Sequence, residues 1–139
     1  DYWTGYSYSW FGNMKARAFD GDGAARELRT FAECFCLRNT FHANGDQTKT
    51  GKSRFTYRPF TLEGNFAFAA GIQEMLLQSH TGIIRVFPAI PSDWSNVSFD
   101  NQKIGDGKVH ITRMSDGIFS GTFEGDRITE GRFDLKYKE

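Results

Sequence analysis

A chain of 139 residues with a formal net charge of zero is long enough for one domain with a real core. It offers no electrostatic footprint for nucleic acid or an anionic membrane, and no apolar run approaches the roughly 20 residues a membrane helix needs. Aromatic residues make up 16% of it, 14 of them Phe, and aromatics in such number either fill a core or line a sugar-binding cleft.

The opening residues, DYWTGYSYSWFG, have no Met, no basic segment and no apolar run. They do not read as a signal peptide, but as a mature terminus, an engineered start or a fragment. Residues 7–19 hold Tyr8, Trp10, Phe11, Met14, Ala18 and Phe19, which predicts a helix ending at the Asp20-Gly21-Asp22-Gly23 turn. Asp22 is then placed to cap the next helix. Residues 24–37 form the clearest amphipathic pattern. Leu28, Phe31, Ala32 and Phe35 share one face, with Arg26, Glu27 and Arg29 largely off it. Cys34 and Cys36 fall in this helix at a spacing that points them to different faces, which predicts two free thiols rather than a bridge. Zinc needs about four ligands and no His is near them in sequence, so no metal or other cofactor is expected.

Residues 38–61 are polar, with Gly45, Gly51 and several Asn, Thr and Lys. Loops longer than about 12–15 residues are uncommon in compact domains and tend to be functional or disordered. Residues 64–79 predict a helix that is apolar on every side. Phe66, Phe68, Ile72, Met75, Leu76 and Leu77 cover its circumference, and only Asn65, Gln73 and Glu74 interrupt them. Such a helix is expected to be enclosed by other elements. Glu63 then stands where a rigid buried element meets a loop, a common setting for a catalytic carboxylate. Residues 82–87 read as a strand stopped by Pro88 and Pro91.

From about residue 102 the texture changes. Residues 108–113 alternate, Ser115-Asp116-Gly117 makes a turn, residues 118–124 alternate again, Gly125-Asp126-Arg127 turns, and residues 128–137 give a third strand. The prediction is a three-stranded antiparallel meander. The fold class expected is α+β: N-terminal helices over residues 1–101, with a short strand, followed by an antiparallel β segment over residues 102–139.

Several runs carry a family resemblance. They are Gly5-Tyr6-Ser7 with Trp10 and Asn13, Ala16-Arg17-Ala18 with Asp20-Gly21-Asp22, and Arg58-Pro59-Phe60-Thr61-Leu62-Glu63-Gly64-Asn65-Phe66. Ala70-Gly71-Ile72, Glu74-Met75-Leu76-Leu77-Gln78-Ser79-His80, and Phe87-Pro88-Ala89-Ile90-Pro91 with Trp94 complete the set. Residues 4–98 resemble the end of the catalytic domain of glycoside hydrolase family 95, inverting α-L-fucosidases and related α-L-galactosidases. The resemblance implies that the helices are the end of an (α/α)6 toroid, whose twelve helices exceed the three seen here. It also implies that Glu63 occupies the position of the carboxylate that helps activate the attacking water, although most fucosidases have Asp there. A sugar-contacting His six residues earlier is replaced here by Tyr57. These two departures leave α-L-galactoside or another L-sugar open beside fucoside. The general acid of the family, a glutamate from earlier in the toroid, has no counterpart in the chain. The tail resembles the final hairpin of small secreted bacterial lipoproteins.

Inverting hydrolysis needs an acid for the leaving oxygen and a base for water, with carboxyls roughly 6.5–9.5 Å apart. Glu63 either serves as that base or merely favours the start of a helix by its charge. Asn65 either orients water or sugar, or satisfies free helix N–H groups. Tyr57 and Arg58 enter the site on the loop, where Arg58 holds Glu63, holds a sugar hydroxyl, or stands in solvent. His42, with Asn44 and Asp46 nearby, either contacts substrate or shapes the turn. Trp10 and Trp94 either stack on sugars or pack in a core, and His80 is expected to cap a helix C-terminus. No Gly-x-Ser-x-Gly element and no phosphate-binding loop is present. The expectation is therefore a fragment of an inverting glycosidase removing terminal α-L-fucose or α-L-galactose, periplasmic or secreted, bacterial and inactive alone. Its catalytic candidates are Glu63 and Asn65; Tyr57, Arg58 and His42 are its substrate-binding candidates. Its partner is carbohydrate, with no nucleic acid and no membrane-spanning segment. The alternative is a small non-catalytic secreted domain with a binding or structural role.

Overall fold

The structure, a computed structural model, describes residues 1–81, 83–104, 107–113, 119–124 and 132–133. Helix α1 runs Gly5–Arg17, α2 Gly21–Cys34 and α3 Glu63–Leu76. Strands β1 (Leu77–Gln78), β2 (Ile83–Val86), β3 (Ser98–Ile104), β4 (Gly107–Arg113), β5 (Phe119–Glu124) and β6 (Arg132–Phe133) follow. The molecule is α+β.

Helix α1 buries Gly5, Ser9, Gly12 and Ala16, a stripe of small residues at helical spacing. The small side chains let two other helices approach its backbone. A Cβ on Gly12 would come within 2.6 Å of the Leu28 side chain of α2. On the α3 side, Ser9 Oγ donates to the Gly64 carbonyl at 3.0 Å and Asn13 Nδ2 to the Ala67 carbonyl at 2.7 Å. Of the large residues that marked this helix in sequence, Tyr8 stacks on Phe35 at 5.1 Å, while Trp10 and Met14 are half exposed. The helix stops at Arg17 because Phe19 adopts a left-handed φ of 61° and the Asp20 N–H bonds back to the Lys15 carbonyl at 2.9 Å.

Helix α2 begins three residues before the sequence-based start. Its N-cap is therefore Asp20, whose carboxylate accepts from the Gly23 N–H at 2.8 Å. Asp22, expected as the cap, instead accepts from the N–H and hydroxyl of Ser92 at 2.8 and 3.0 Å. Leu28, Phe31 and Phe35 are buried as the spacing predicts, while Ala32 is exposed and Cys34 takes its place inside. The helix ends at Cys34, so the two cysteines do not share a helix. Cys36 sits in a β-bridge with His42, and both thiols are free.

Helix α3 is not enclosed on all sides, contrary to its composition. It buries Gly64, Gly71 and Met75. Leu62, Phe66, Ala69 and Ala70 line the opposite side and are exposed, Phe66 at 67%. The reason is geometric: α1 and α2 both lie on one side of α3. The helix also ends three residues early. Gln78 is buried and its amide donates to the Ala16 and Glu74 carbonyls, both at 2.9 Å, which turns the chain into β1. His80 consequently lies in the turn beyond β1 rather than at the helix terminus.

β1 pairs antiparallel with β2, and β2 pairs parallel with β6. β3, β4 and β5 form an antiparallel sheet in that order. The meander is thus real, but its third strand is β3, which crosses the expected boundary at residue 101. The described part of the segment expected as third strand, Arg132–Phe133, pairs with β2. Local alternation marks a strand without naming its partner. Ser115-Asp116-Gly117 and Gly125-Asp126-Arg127 lie outside the described residues. Phe99 of β3 packs with Ile84 and Val86 of β2, while Trp94 joins Leu28, Met75 and Ala89 in the helical core.

Candidate active site

The polar segment between α2 and α3 is a folded-back strap. Its backbone pairs with itself: Asn44 N–H to the Pro59 carbonyl at 3.2 Å, Gly45 to Tyr57 at 3.0 Å and Asp46 to Phe55 at 2.8 Å. Asp46 is fully buried at the bend. Its carboxylate accepts from the N–H groups of Thr48, Lys49 and Lys52 and from the Thr48 hydroxyl, at 2.6–3.0 Å. Burial by itself would raise its pKa. The Thr48 hydroxyl and the three backbone donors outweigh that and hold the carboxyl below its ordinary value.

The strap delivers the chain to the start of α3, where Glu63 is the first helical residue and its side chain is exposed. The negative charge sits favourably at a helix N-terminus. The residues around Glu63 are fastened. Asn65 accepts from the His42 N–H and donates to the Thr40 carbonyl, both at 2.9 Å. Its amide thus ties the helix to the strap, a use that sequence reasoning missed. The Gly64 carbonyl takes the Ser9 hydroxyl. Beside this point Phe41 and Phe60 stack with centroids 4.8 Å apart, both about half exposed at 45% and 49%.

His42 is completely buried. Its ring lies between Gly5 of α1 and Gly64 of α3, either of which would strike it with a Cβ. Nδ1 is 3.0 Å from the Thr61 carbonyl and 2.8 Å from the Thr61 hydroxyl, which itself donates to Asn44 Oδ1 at 3.2 Å. A carbonyl oxygen only accepts, so this network assigns the proton to Nδ1. Nε2 then faces Gly5 without a hydrogen-bond partner. Burial pushes the imidazole pKa down; the hydrogen bond to Thr61 and the charge of Glu63 oppose it without reversing the shift, so the ring is neutral at neutral pH.

Tyr57 and Arg58 are exposed on the strap. Arg58 Nε donates to Gln47 Oε1 at 2.9 Å, and Gln47 is anchored by its own N–H to the Cys34 carbonyl at 2.7 Å. The Tyr57 ring meets Phe55 edge-on at 5.0 Å. The structure therefore brings Glu63, Asn65 and His42 together, with Glu63 outermost and His42 enclosed, and sets Tyr57 and Arg58 on the same strap. Thr61, Gln47 and Gly5 carried no local sign in the sequence of what they do here. Among the described residues no group of three or more His, Cys, Asp or Glu side chains gathers to hold a metal, and no helix is long and apolar enough to cross a membrane.

The site is thus an exposed carboxylate at a braced helix start. Residues 1–76 match the glycosyl hydrolase family 95 catalytic domain, and the chain belongs to that family, whose substrates are carbohydrates. It is 32% identical over 94 residues to a protein named Alpha-L-fucosidase 2 from Arabidopsis thaliana, a match covering 66% of this chain and 11% of the relative. The chain thus spans about a tenth of the length of that curated relative.

Proposed function

We propose that this chain is the base-side portion of an inverting glycosidase that removes terminal α-L-fucose or α-L-galactose from glycans. The observation that carries this reading is Glu63, exposed at the N-terminus of α3 while Thr61 before it and Gly64 and Asn65 after it are held by hydrogen bonds. In the reaction Glu63 takes a proton from water as that water attacks the anomeric carbon. A second carboxyl, contributed from outside this chain, protonates the departing oxygen, and the configuration inverts. Tyr57 and Arg58 face the sugar, and the Gln47–Arg58 bond limits where the guanidinium reaches. His42 supports Glu63 from behind. A terminal glycan substrate is in keeping with a periplasmic or secreted bacterial protein, a setting that fractionation of the source organism tests. A sheet over α3 with Glu63 sealed away from any cleft would favour the rival reading, a non-catalytic domain; the exposure of Glu63 supports the catalytic one.

The test is Glu63→Ala in the full-length protein, assayed on aryl α-L-fucoside and aryl α-L-galactoside. Loss of general-base action lowers kcat by about 10²–10⁴-fold with the melting temperature retained, and NMR of the wild-type product shows the β-anomer first. The 139-residue chain alone gives no turnover. Turnover by Glu63→Ala at the wild-type rate refutes the assignment.

A further inference from the structure

His42 is a buried titratable side chain that touches no solvent and therefore no sugar. Yet its contacts converge on one short segment. Its ring nitrogen Nδ1 bonds Thr61, two residues before Glu63. Its ring, on the Nδ1 side, fills the space left by the missing side chain of Gly64, one residue after Glu63. Its backbone N–H bonds the side chain of Asn65, two residues after Glu63. The far edge of the ring abuts Gly5, so the load passes to the start of α1. Glu63 is thus an exposed residue of a five-residue stretch that His42 holds at three points, Thr61 and Gly64 through its ring and Asn65 through its backbone N–H.

We propose that the His42 ring is a positioning group for Glu63, setting the direction in which that carboxylate leaves the helix start through Thr61 on one side and Gly64 on the other. The inference rests on the reading of Glu63 as the catalytic carboxylate. A base must approach its water within hydrogen-bond reach, and a displacement near 1 Å costs catalysis about 10²-fold. A frame in which the ring leaves no room for a side chain at Gly5 or Gly64 is suited to keep such a displacement from occurring. The Nδ1–H to carbonyl bond gives the ring one orientation, because a flipped ring would lose the Thr61 acceptor.

The experiment is steady-state kinetics of the full-length protein with 2,4-dinitrophenyl α-L-fucoside, whose good leaving group keeps slow variants measurable, with the corresponding α-L-galactoside run in parallel. Four variants are compared: Glu63→Ala, His42→Ala, His42→Asn and the double variant Glu63→Ala/His42→Ala. His42→Ala is expected to lower kcat about 10- to 100-fold with KM nearly unchanged. Asn places an amide N–H near the Nδ1 position, so His42→Asn recovers most of kcat. In the Glu63→Ala background, removing His42 costs nothing more, because its effect passes through Glu63. Should His42→Ala fail to fold, His42→Gln fills the site with a misplaced donor and carries the same comparison. Loss of kcat by the same factor in both backgrounds, a change in KM alone, or full activity of His42→Ala overturns the positioning role while leaving Glu63 intact. Wild-type turnover by Glu63→Ala removes the parent reading, and the positioning role falls with it.

Discussion

Asp46→Asn tests whether one buried carboxylate organises the strap that carries Tyr57, Arg58 and the approach to Glu63. In the native structure Oδ1 accepts from the Thr48 N–H, the Lys49 N–H and the Thr48 hydroxyl, and Oδ2 accepts from the Lys52 N–H at 3.0 Å. Asparagine keeps the shape, loses the charge, and sets an N–H₂ against the Lys52 N–H or against the three donors at Oδ1. Hydrogen bonds to a charged group contribute about 1.5–3 kcal/mol each, and a buried donor left facing another donor costs about 1–3 kcal/mol. Because Thr48, Lys49 and Lys52 are exposed, water recovers part of this loss, and about 2–3 kcal/mol remains. That corresponds to local opening of the strap about 30- to 150-fold more often, at about 1.4 kcal/mol per decade.

Hydrogen exchange of the peptide spanning residues 46–56 at neutral pH reads this directly. The pH dependence supplies a second check, with its sign set by the depressed native pKa. The stabilisation from Asp46 is complete above its ordinary value of 3.8 and is lost as pH falls through the lower native value. The gap in melting temperature between wild type and Asp46→Asn therefore narrows on acidification below that range. Unchanged exchange in residues 46–56, or a gap that widens in acid, refutes the reasoning.

Three further substitutions probe the frame. Gly64→Ala ordinarily gains about 0.5–1 kcal/mol in a helix; here the new methyl strikes the His42 ring, so a loss of about 1–3 kcal/mol is expected, and a raised melting temperature would contradict the tight seat of His42. Phe31, 1% exposed and stacked on Phe68 at 5.5 Å, loses about 3–5 kcal/mol on truncation to Ala. Phe66→Ala on the open side of α3 changes stability by no more than about 0.5 kcal/mol. Thermal or urea unfolding separates the two, and a large cost at Phe66 would show that its face is covered.

What was legible before the structure was whatever a short window of chain encodes. The 3.6-residue spacing of Leu28 and Phe31 located α2 and its inner face. The alternation in residues 108–113 and 118–124 located β4 and β5. Pro88, just past β2, marked the end of that strand. The capping position was misplaced by two residues because Asp20 and Asp22 both satisfy the residue preference, and only the actual first turn chooses between them.

Glu63 was visible as a candidate because a charge beside Gly64 and Asn65 ahead of an apolar run is a local pattern and the resemblance pointed to it. The partners of that charge were not visible. Composition dictated that α3 is apolar; whether it is enclosed depends on how many neighbours surround it, and α1 and α2 both take the same side. Gly5, Gly12 and Gly64 look like weak helix residues in sequence, yet they are the places where helices and an imidazole come closest. The chain alone thus determined the helices, the strand alternation and the carboxylate. The tertiary structure decided that His42 is enclosed, that Asn65 binds backbone, and that β6 pairs with β2, because each rests on contacts between residues many positions apart that no local periodicity records.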